Sequence, residues 1–278
     1  MATFIKLNSS TDTIVDTQKV TAGDFSNGSG KLLGSALHSA SVADANETYY
    51  YGITNSEDAD ATTQFTVAYG HYAGSGSNTD SDDIKGATQA IYSQWASTLL
   101  PENEITGGFI ISSPGSNSAV TTGKDEDIYI MVARRSLFKE RFNKGNWTLQ
   151  FSGSNTANNA AQTLVLTDDS KTTVPTATPA GPRYNIVTGS DGNLHSTDSS
   201  SAARNFGFFY PEVGALVFSV AEMSRSIQGA AAITASDITY KGATNNGFAP
   251  GIGNDADYKN ALKFINCLKC GNSANTYI

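Results

Sequence analysis

Charge is scarce in this chain. Lys, Arg, Asp and Glu together make up 16% of its 278 residues, where about a quarter is usual for a globular protein. Gly, Ser, Thr, Asn and Ala fill the space instead, a balance closer to β-rich, loop-rich assembly proteins than to compact metabolic enzymes. No apolar run approaches membrane-spanning length, so membrane insertion is not expected. The opening MATFIKLNSS lacks the charged and apolar regions of a secretory signal, which makes the cytosol the expected place of maturation. Histidine is limited to His38, His71 and His195, each in a polar or Gly/Ser-rich setting. Gly-x-Ser-x-Gly, His-Glu-x-x-His and the dinucleotide-binding glycine pattern are all missing. Glu212 beside Tyr210 and Asp127 before Tyr129 are acids near aromatics, and turn and strand-end positions account for both. No catalytic residue is assigned, and the chain is not expected to be an enzyme. Cysteine is limited to Cys267-x-x-Cys270. A zinc knuckle needs two further ligands, which only a partner chain could supply, and a redox pair belongs at a helix N-terminus rather than the C-terminus expected here. The pair reads as two small buried thiols, with no metal and no cofactor.

The stretch around which the rest is organised is Asp127 to Phe151, DIYIMVARRSLFKERFNKGNWTLQF. Ile128 to Ala133 is an apolar run without glycine or proline, the pattern of a strand buried on both faces. Five cations and one acid then fall within eleven residues, Arg134 to Lys144, in a chain with only 18 Lys plus Arg. Lys144-Gly145-Asn146 supplies turn chemistry, and Trp147, Leu149 and Phe151 alternate as in a half-buried strand. The reading is strand, basic connection, strand, in a hairpin-like unit. Interleaved aromatics fit nucleic acid, but a net charge of −8 and a pI near 4.8 disfavour it. The connection is better suited to subunit contact: arginines pair with a neighbour's carboxylates while aromatics pack beneath them. The candidate interface is Arg134, Arg135, Phe138, Lys139, Arg141, Phe142 and Trp147.

In chain order, Met1 to Val20 reads as one or two short strands. Gly23 to Gly34 is a loop, because its Gly28, Gly30 and Lys31 miss the spacing of a phosphate-binding loop. Tyr49 to Gly52 and Gln64 to Tyr69 form an antiparallel hairpin with Phe65, Val67 and Tyr69 on one face, around an acidic turn at Glu57 to Asp60. Asp80, Asp82 and Asp83 lack the spacing of a calcium loop and read as a solvated turn. Ile84 to Leu100 is a helix, with Ile84, Ala87, Ile91, Trp95 and Leu99 as its stripe and Asp82 or Asp83 as cap. Ile105 to Ile111 reads as a strand broken by glycines, and Thr163 to Thr167 as a buried strand. Asp168 to Pro182 is a long excursion of the kind used for binding or assembly. Arg183 to Val187 is a strand and Gly189 to Ala203 a polar loop. Around the turn Pro211 to Gly214, Phe206, Phe208 and Tyr210 face Leu216 and Phe218 in a hairpin. Met223 to Ile227 begins a short connection, and Asp257 to Lys269 is a second helix with Tyr258, Leu262, Ile265 and Leu268 as its stripe. The expected fold is α+β: a β-rich mixed domain of mainly antiparallel short strands, two main helices and long polar loops. It covers residues 1–278, with 1–48 as an N-terminal assembly arm and 228–278 as a C-terminal helical extension.

Several blocks together resemble a known family: QFTVAYGH with its following Gly-Ser-Gly, the helix Ala87 to Leu100, RSLFKERFNKGNW, LVLTDDS, RYNIVTG and FGFFYPEVGAL. Their order looks like that of structural proteins from contractile-tailed, T4-like phages of cyanobacteria, over about Tyr49 to Val220. The resemblance implies a virion structural protein of the tail or baseplate, assembled in the host cytoplasm. Its partners would be other virion proteins and copies of itself. A host-surface or glycan-binding adhesin, in which Thr/Ser/Asn-rich loops and exposed Tyr contact sugar, is the alternative from another class. A capsid or neck accessory protein is the third reading.

Overall fold

The computed structural model describes residues 50–54, 63–77, 86–111, 123–137, 141–154, 161–195, 204–227, 248 and 256–268. The expectations for Met1 to Val20, Gly23 to Gly34, residues 1–48, His38, Glu57 to Asp60, Asp80 to Asp83, Phe138, Lys139 and Cys270 lie outside these residues.

Ten strands make one antiparallel sheet: β1 (Tyr51–Thr54), β2 (Thr63–His71), β3 (Asp127–Ala133), β4 (Leu149–Ser154), β5 (Ala161–Asp168), β6 (Thr176–Thr178), β7 (Gly181–Ser190), β8 (Asn193–Leu194), β9 (Gly207–Tyr210) and β10 (Ala215–Ser219). The main order is β1-β2-β3-β10-β9-β7-β5-β4, with β6 and β8 added to β7. Four helices accompany it among the described residues: α1 (Gly86–Leu99), α2 (Glu102–Ile105), α3 (Val220–Ser226) and α4 (Ala256–Cys267). The fold is therefore strand-rich and antiparallel. Helix α4 touches β1 and β2 at one end of the strand order and β4 at the other. A flat sheet cannot do this; the sheet curls into a half-barrel with α4 in its hollow. The isolated bridge between Phe151 and Leu268 ties the end of α4 to edge strand β4.

Apolar residues alternate between the two faces. The hollow is filled by Phe65, Val67, Tyr69, Tyr129, Met131, Phe209, Leu216 and Phe218 from the central strands, closed by Leu262, Phe264 and Ile265 of α4. Phe264 sits at its centre, with ring centroids 5.2 Å from those of Tyr129, Phe151 and Phe218. The outer face of β2, β3, β10 and β9 carries Ala68, Ile128, Ile130, Val217, Phe208 and Tyr210, and α1 lies over it with Ile91, Tyr92, Ala96 and Leu99. Burial on both faces explains why Ile128 to Ala133 is apolar throughout. Helix α1 approaches β2 closely at Gly70, where a Cβ would come within 3.0 Å of the Tyr92 backbone nitrogen. Tyr92 fixes the helix in place. Its hydroxyl donates to the Asp125 carbonyl (2.8 Å) and accepts from the Phe109 amide (2.9 Å).

Several expectations need correcting. β3 and β4 do not pair as a hairpin: β3 lies between β2 and β10, and β4 is the far edge, paired with β5. In the β9–β10 hairpin, Leu216 pairs with Phe209 and Val217 with Phe208. Leu216 and Phe218 thus share the hollow with Phe209 and Phe206, while Phe208 and Tyr210 face α1. With both faces buried, apolar alternation does not fix register. Ile105 ends α2, and residues 106–111 are coil rather than strand. Met223 to Ile227 lies in and just beyond α3, a helix capped by Ser219, whose hydroxyl accepts from the Glu222 amide (3.2 Å). The polar loop from Gly189 contains the β7–β8 hairpin, whose Asp191 and Gly192 have φ of 50° and 70°, as a type I′ turn requires. Helix α4, within the expected helical extension 228–278, contributes to the core, with Asn260 and Lys263 buried beside its apolar residues.

Candidate interaction surface

The basic connection is held at both ends by the β9–β10 turn. The Ala133 amide donates to the Gly214 carbonyl (2.9 Å), and the Phe142 amide to the Pro211 carbonyl (2.9 Å). Between these clips Arg134 leads into a 3-10 turn, Arg135–Leu137. Arg134, Arg135 and Arg141 are exposed, whereas Phe142 and Trp147 are buried in the chain's own core. Phe142 stacks on Phe65 (centroids 6.3 Å apart), and Trp147 meets Phe209 edge-on (5.3 Å). Cations therefore lie outside and aromatics beneath. Lys144 is also exposed and donates to the Tyr184 hydroxyl (2.7 Å). A small, wholly apolar gap of about 10 Å³ lies beneath the connection, among the buried Phe65, Met131, Phe142, Trp147, Phe209 and Leu216. The Trp147 indole N–H is buried without an acceptor among the described residues.

A hydrogen-bonded platform adjoins the connection. Asp168 accepts from the amides of Gly145 (2.7 Å) and Ser170 (3.0 Å). Asp169 accepts from the Asn185 amide (3.0 Å) and side chain (2.8 Å). The Thr167 hydroxyl donates to the Trp147 carbonyl (2.7 Å) and accepts from the Gly192 amide (2.8 Å). These bonds lock the approach to β4, the segment after β5 and the β7–β8 turn into one body, with the Thr167, Asp168 and Asp169 side chains all partnered. The excursion expected from Asp168 to Pro182 rises from this platform. Its base is held by the Thr172 and Thr173 amides, both donating to the Asp169 carbonyl (2.9 Å), and by Lys171 bonded to the Asp191 carbonyl. Residues 171–177 are all exposed, and Val174 retains 88% of its surface. The expected excursion is shorter than Asp168 to Pro182, since Asp168 ends β5, Thr176–Thr178 is β6 and Gly181 opens β7; the platform was not read from the sequence, and the signal for it was the Thr167-Asp168-Asp169-Ser170 run, whose side chains favour local bonds to backbone amides.

A third surface joins β1 to α1. The Trp95 indole donates to the Tyr50 hydroxyl (3.3 Å), which donates to Gln94 Oε1 (3.1 Å). Tyr50 keeps 37% of its surface, and α1 carries no charged residue. Nearby, Lys124 sits over the Tyr72 ring, 3.1 Å from its centroid, a cation–π contact.

Among titratable groups, Asp127 stands out. Burial, helped by the neighbouring Asp125 charge, pushes its carboxyl up to about 7 against the partial relief of a Tyr69 hydroxyl donor at 3.4 Å. His71, directly across from it in the β2–β3 register, is lowered by burial although Glu126 opposes this. Its Nδ1 accepts from the Ala73 amide (3.0 Å). His195 is exposed after β8. Cys267 is buried and its thiol is pushed up, chiefly by desolvation, while burial lowers Lys263 to about 8. Glu212 packs against Gly181, at the mouth of the β6–β7 turn. Among the described residues no group of three or more His, Cys, Asp or Glu is arranged to hold a metal ion, and no helix is long and apolar enough to cross a membrane.

No family model, curated protein or solved structure matches the chain.

Proposed function

We propose that this chain is a structural protein of a contractile-tailed phage virion, part of the tail or baseplate, working through subunit contacts. The observation that carries the reading is the basic connection: Arg134, Arg135 and Arg141 exposed on a backbone clipped to the β9–β10 turn and underlain by Phe142 and Trp147. Arginines on a fixed scaffold lose little freedom when they pair with a neighbour's carboxylates, and such pairs are short and bidentate. The sheet is filled on one side and covered on the other, which suits a body that transmits load without deforming. The family resemblance of the sequence supplies the setting: a virion assembled in the host cytoplasm, with other virion proteins and copies of the chain as partners. Replacing Arg135, Lys139 and Arg141 together by Ala is expected to leave the monomer's thermal unfolding unchanged within a few degrees. Incorporation into particles is expected to fall about tenfold, the effect of losing about 1.4 kcal/mol of contact energy. Normal particles from this variant would overturn the reading.

The adhesin reading is favoured by a different observation, the Tyr50–Gln94–Trp95 array beside an uncharged helix face. Aromatic faces with adjacent amide groups suit neutral sugars. Glycan-array binding by the isolated protein, lost on Tyr50→Ala, would move the assignment from assembly to host contact.

A further inference from the structure

We propose that Asp125 and Asp127 form a pH-sensitive latch on the strap Phe109 to Ile111, closed in acid and released as the solution turns alkaline. The strap follows Gly107 and Gly108, and Gly108 has a φ of 73°, a conformation that glycine adopts at little cost and that suits a hinge. Beyond the hinge the strap is fastened mainly through Asp125. The Asp125 amide donates to the Phe109 carbonyl (2.8 Å), and the Ile111 amide donates to Asp125 Oδ2 (2.8 Å). The Tyr92 hydroxyl joins the Phe109 amide (2.9 Å) to the Asp125 carbonyl (2.8 Å). Asn205 adds one bond from its side chain to the Ile111 carbonyl (2.8 Å). Phe109 and Ile111 are buried under this grip, while Ile110 between them keeps 48% of its surface.

Asp127 opens β3 two residues after the carboxylate that grips Ile111. Its neighbours offer it little relief. The Tyr69 hydroxyl donates to it at 3.4 Å, but Glu126 adds a further negative charge. His71, opposite in the register, is lowered by burial and so carries no counter-charge around neutrality. Lys124 lies over the Tyr72 ring. Ionised together, Asp125 and Asp127 repel, and water is what can stabilise both charges. The strands here are held by ladders, β2 between β1 and β3 and β3 between β2 and β10, whereas the strap belongs to no ladder. The Tyr92 hydroxyl, the junction of the strap, feels the Asp127 charge as well as that of Asp125, so water reaching the pair loosens that junction first. Burial and the Asp125 charge hold the Asp127 carboxyl at about 7 in the closed form, and hydration returns it to about 4. Opening therefore releases a proton, and rising pH favours it.

The test is residue-resolved amide hydrogen exchange on the full chain, with each rate divided by that of an unstructured peptide at the same pH. A carboxyl that titrates near 7 when closed and near 4 when open raises the opening constant about tenfold between pH 6 and pH 8. Protection of the Phe109 and Ile111 amides is expected to fall by that factor, and to stay below that of Val217 in β10 at both pH values. The fall should level off at the pH where the Asp127 carboxyl carbon titrates by NMR. Asp127→Asn keeps an acceptor for Tyr69 and is expected to hold the strap's protection constant across the range. Constant protection in the unaltered chain would overturn the latch, as would an equal fall in Asp127→Asn or a levelling-off far from the titration of Asp127. Protection of Ile111 equal to that of Val217 would overturn it too, because the strap would then open only when the whole chain unfolds.

Discussion

Asp127 shows how one side chain carries a pH dependence into the fold. Its carboxyl is raised to about 7 by desolvation and by Asp125, whereas an unfolded chain would titrate it near 4. Between those values the folded state holds the proton that the unfolded state has released, so this group's contribution to stability is complete below about pH 4 and is lost as pH rises through 7. Asp127→Asn is therefore expected to raise the melting temperature at pH 8, by a stability gain of about 1–3 kcal/mol, and to change little at pH 4. Melting curves at the two pH values check this; an equal shift at both would mean that the carboxylate is not the cause. Phe264 makes the complementary case in apolar terms. It is fully buried and touches Tyr129, Phe151, Phe218 and Phe248. Because these rings come from the neighbouring central strands β3 and β10, from edge strand β4 and from Phe248 outside the sheet, they cannot all close on the gap left by Phe264→Ala. The expected cost is about 3–5 kcal/mol, read from the shift in denaturation midpoint, with a cost under about 1 kcal/mol refuting the central position of α4.

At the scale of elements, the packing of α1 on β2 turns on an absence. Gly70 has no side chain where the helix backbone passes, and the Tyr92 nitrogen and Cα stand 3.0 and 3.1 Å from where a Cβ would be. Gly70→Val must displace α1 and with it the Tyr92 hydroxyl, which joins Phe109 to Asp125. A destabilisation of about 1–3 kcal/mol is expected, together with faster amide exchange in α1 than in β3. Uniform exchange across both would separate the helix from the effect. The same elements mark how far local pattern reaches. β1, β2, β3, β5 and both longer helices were legible, the strands from short aromatic, alternating or continuous apolar runs and the helices from apolar stripes at three- and four-residue steps. The hairpin assigned to the Asp127 to Phe151 unit was not, because the partner of β3 is chosen by β10, some eighty residues later in the chain. Helix α3 was missed although Ser219-x-x-Glu222 has the spacing of a capping box, and β8 although Asp191-Gly192 is a hairpin turn pair; both signals sat in stretches already read as connection or loop. Of the candidate surface, the exposed arginines followed from composition. The clipping of their backbone to Pro211 and Gly214 did not, since it joins residues about seventy to eighty positions apart.

For the whole molecule, uneven charge matters more than total charge. Five of the 18 basic residues and one of the 26 acidic ones lie between Arg134 and Lys144, so the remainder of the chain is more acidic than its net charge of −8 conveys. Two copies repel when their acidic sides meet and attract when the connection of one meets the acidic side of the other, which favours a head-to-tail orientation over a symmetric pair. An apolar contact responds to salt differently from a charged one. The Debye length falls from about 30 Å at 0.01 M to about 10 Å at 0.1 M salt, so charge steering weakens across this range while an apolar contact persists. Self-association of the intact protein, followed by light scattering, is expected to fall steeply between these ionic strengths. In the double reversal Arg134→Glu and Arg141→Glu it should be weak at low salt and nearly flat with ionic strength, because the attracting patch then repels. If the unaltered protein associates equally at both ionic strengths, the basic connection does not orient the copies and the contact lies on an uncharged surface such as the exposed face of α1.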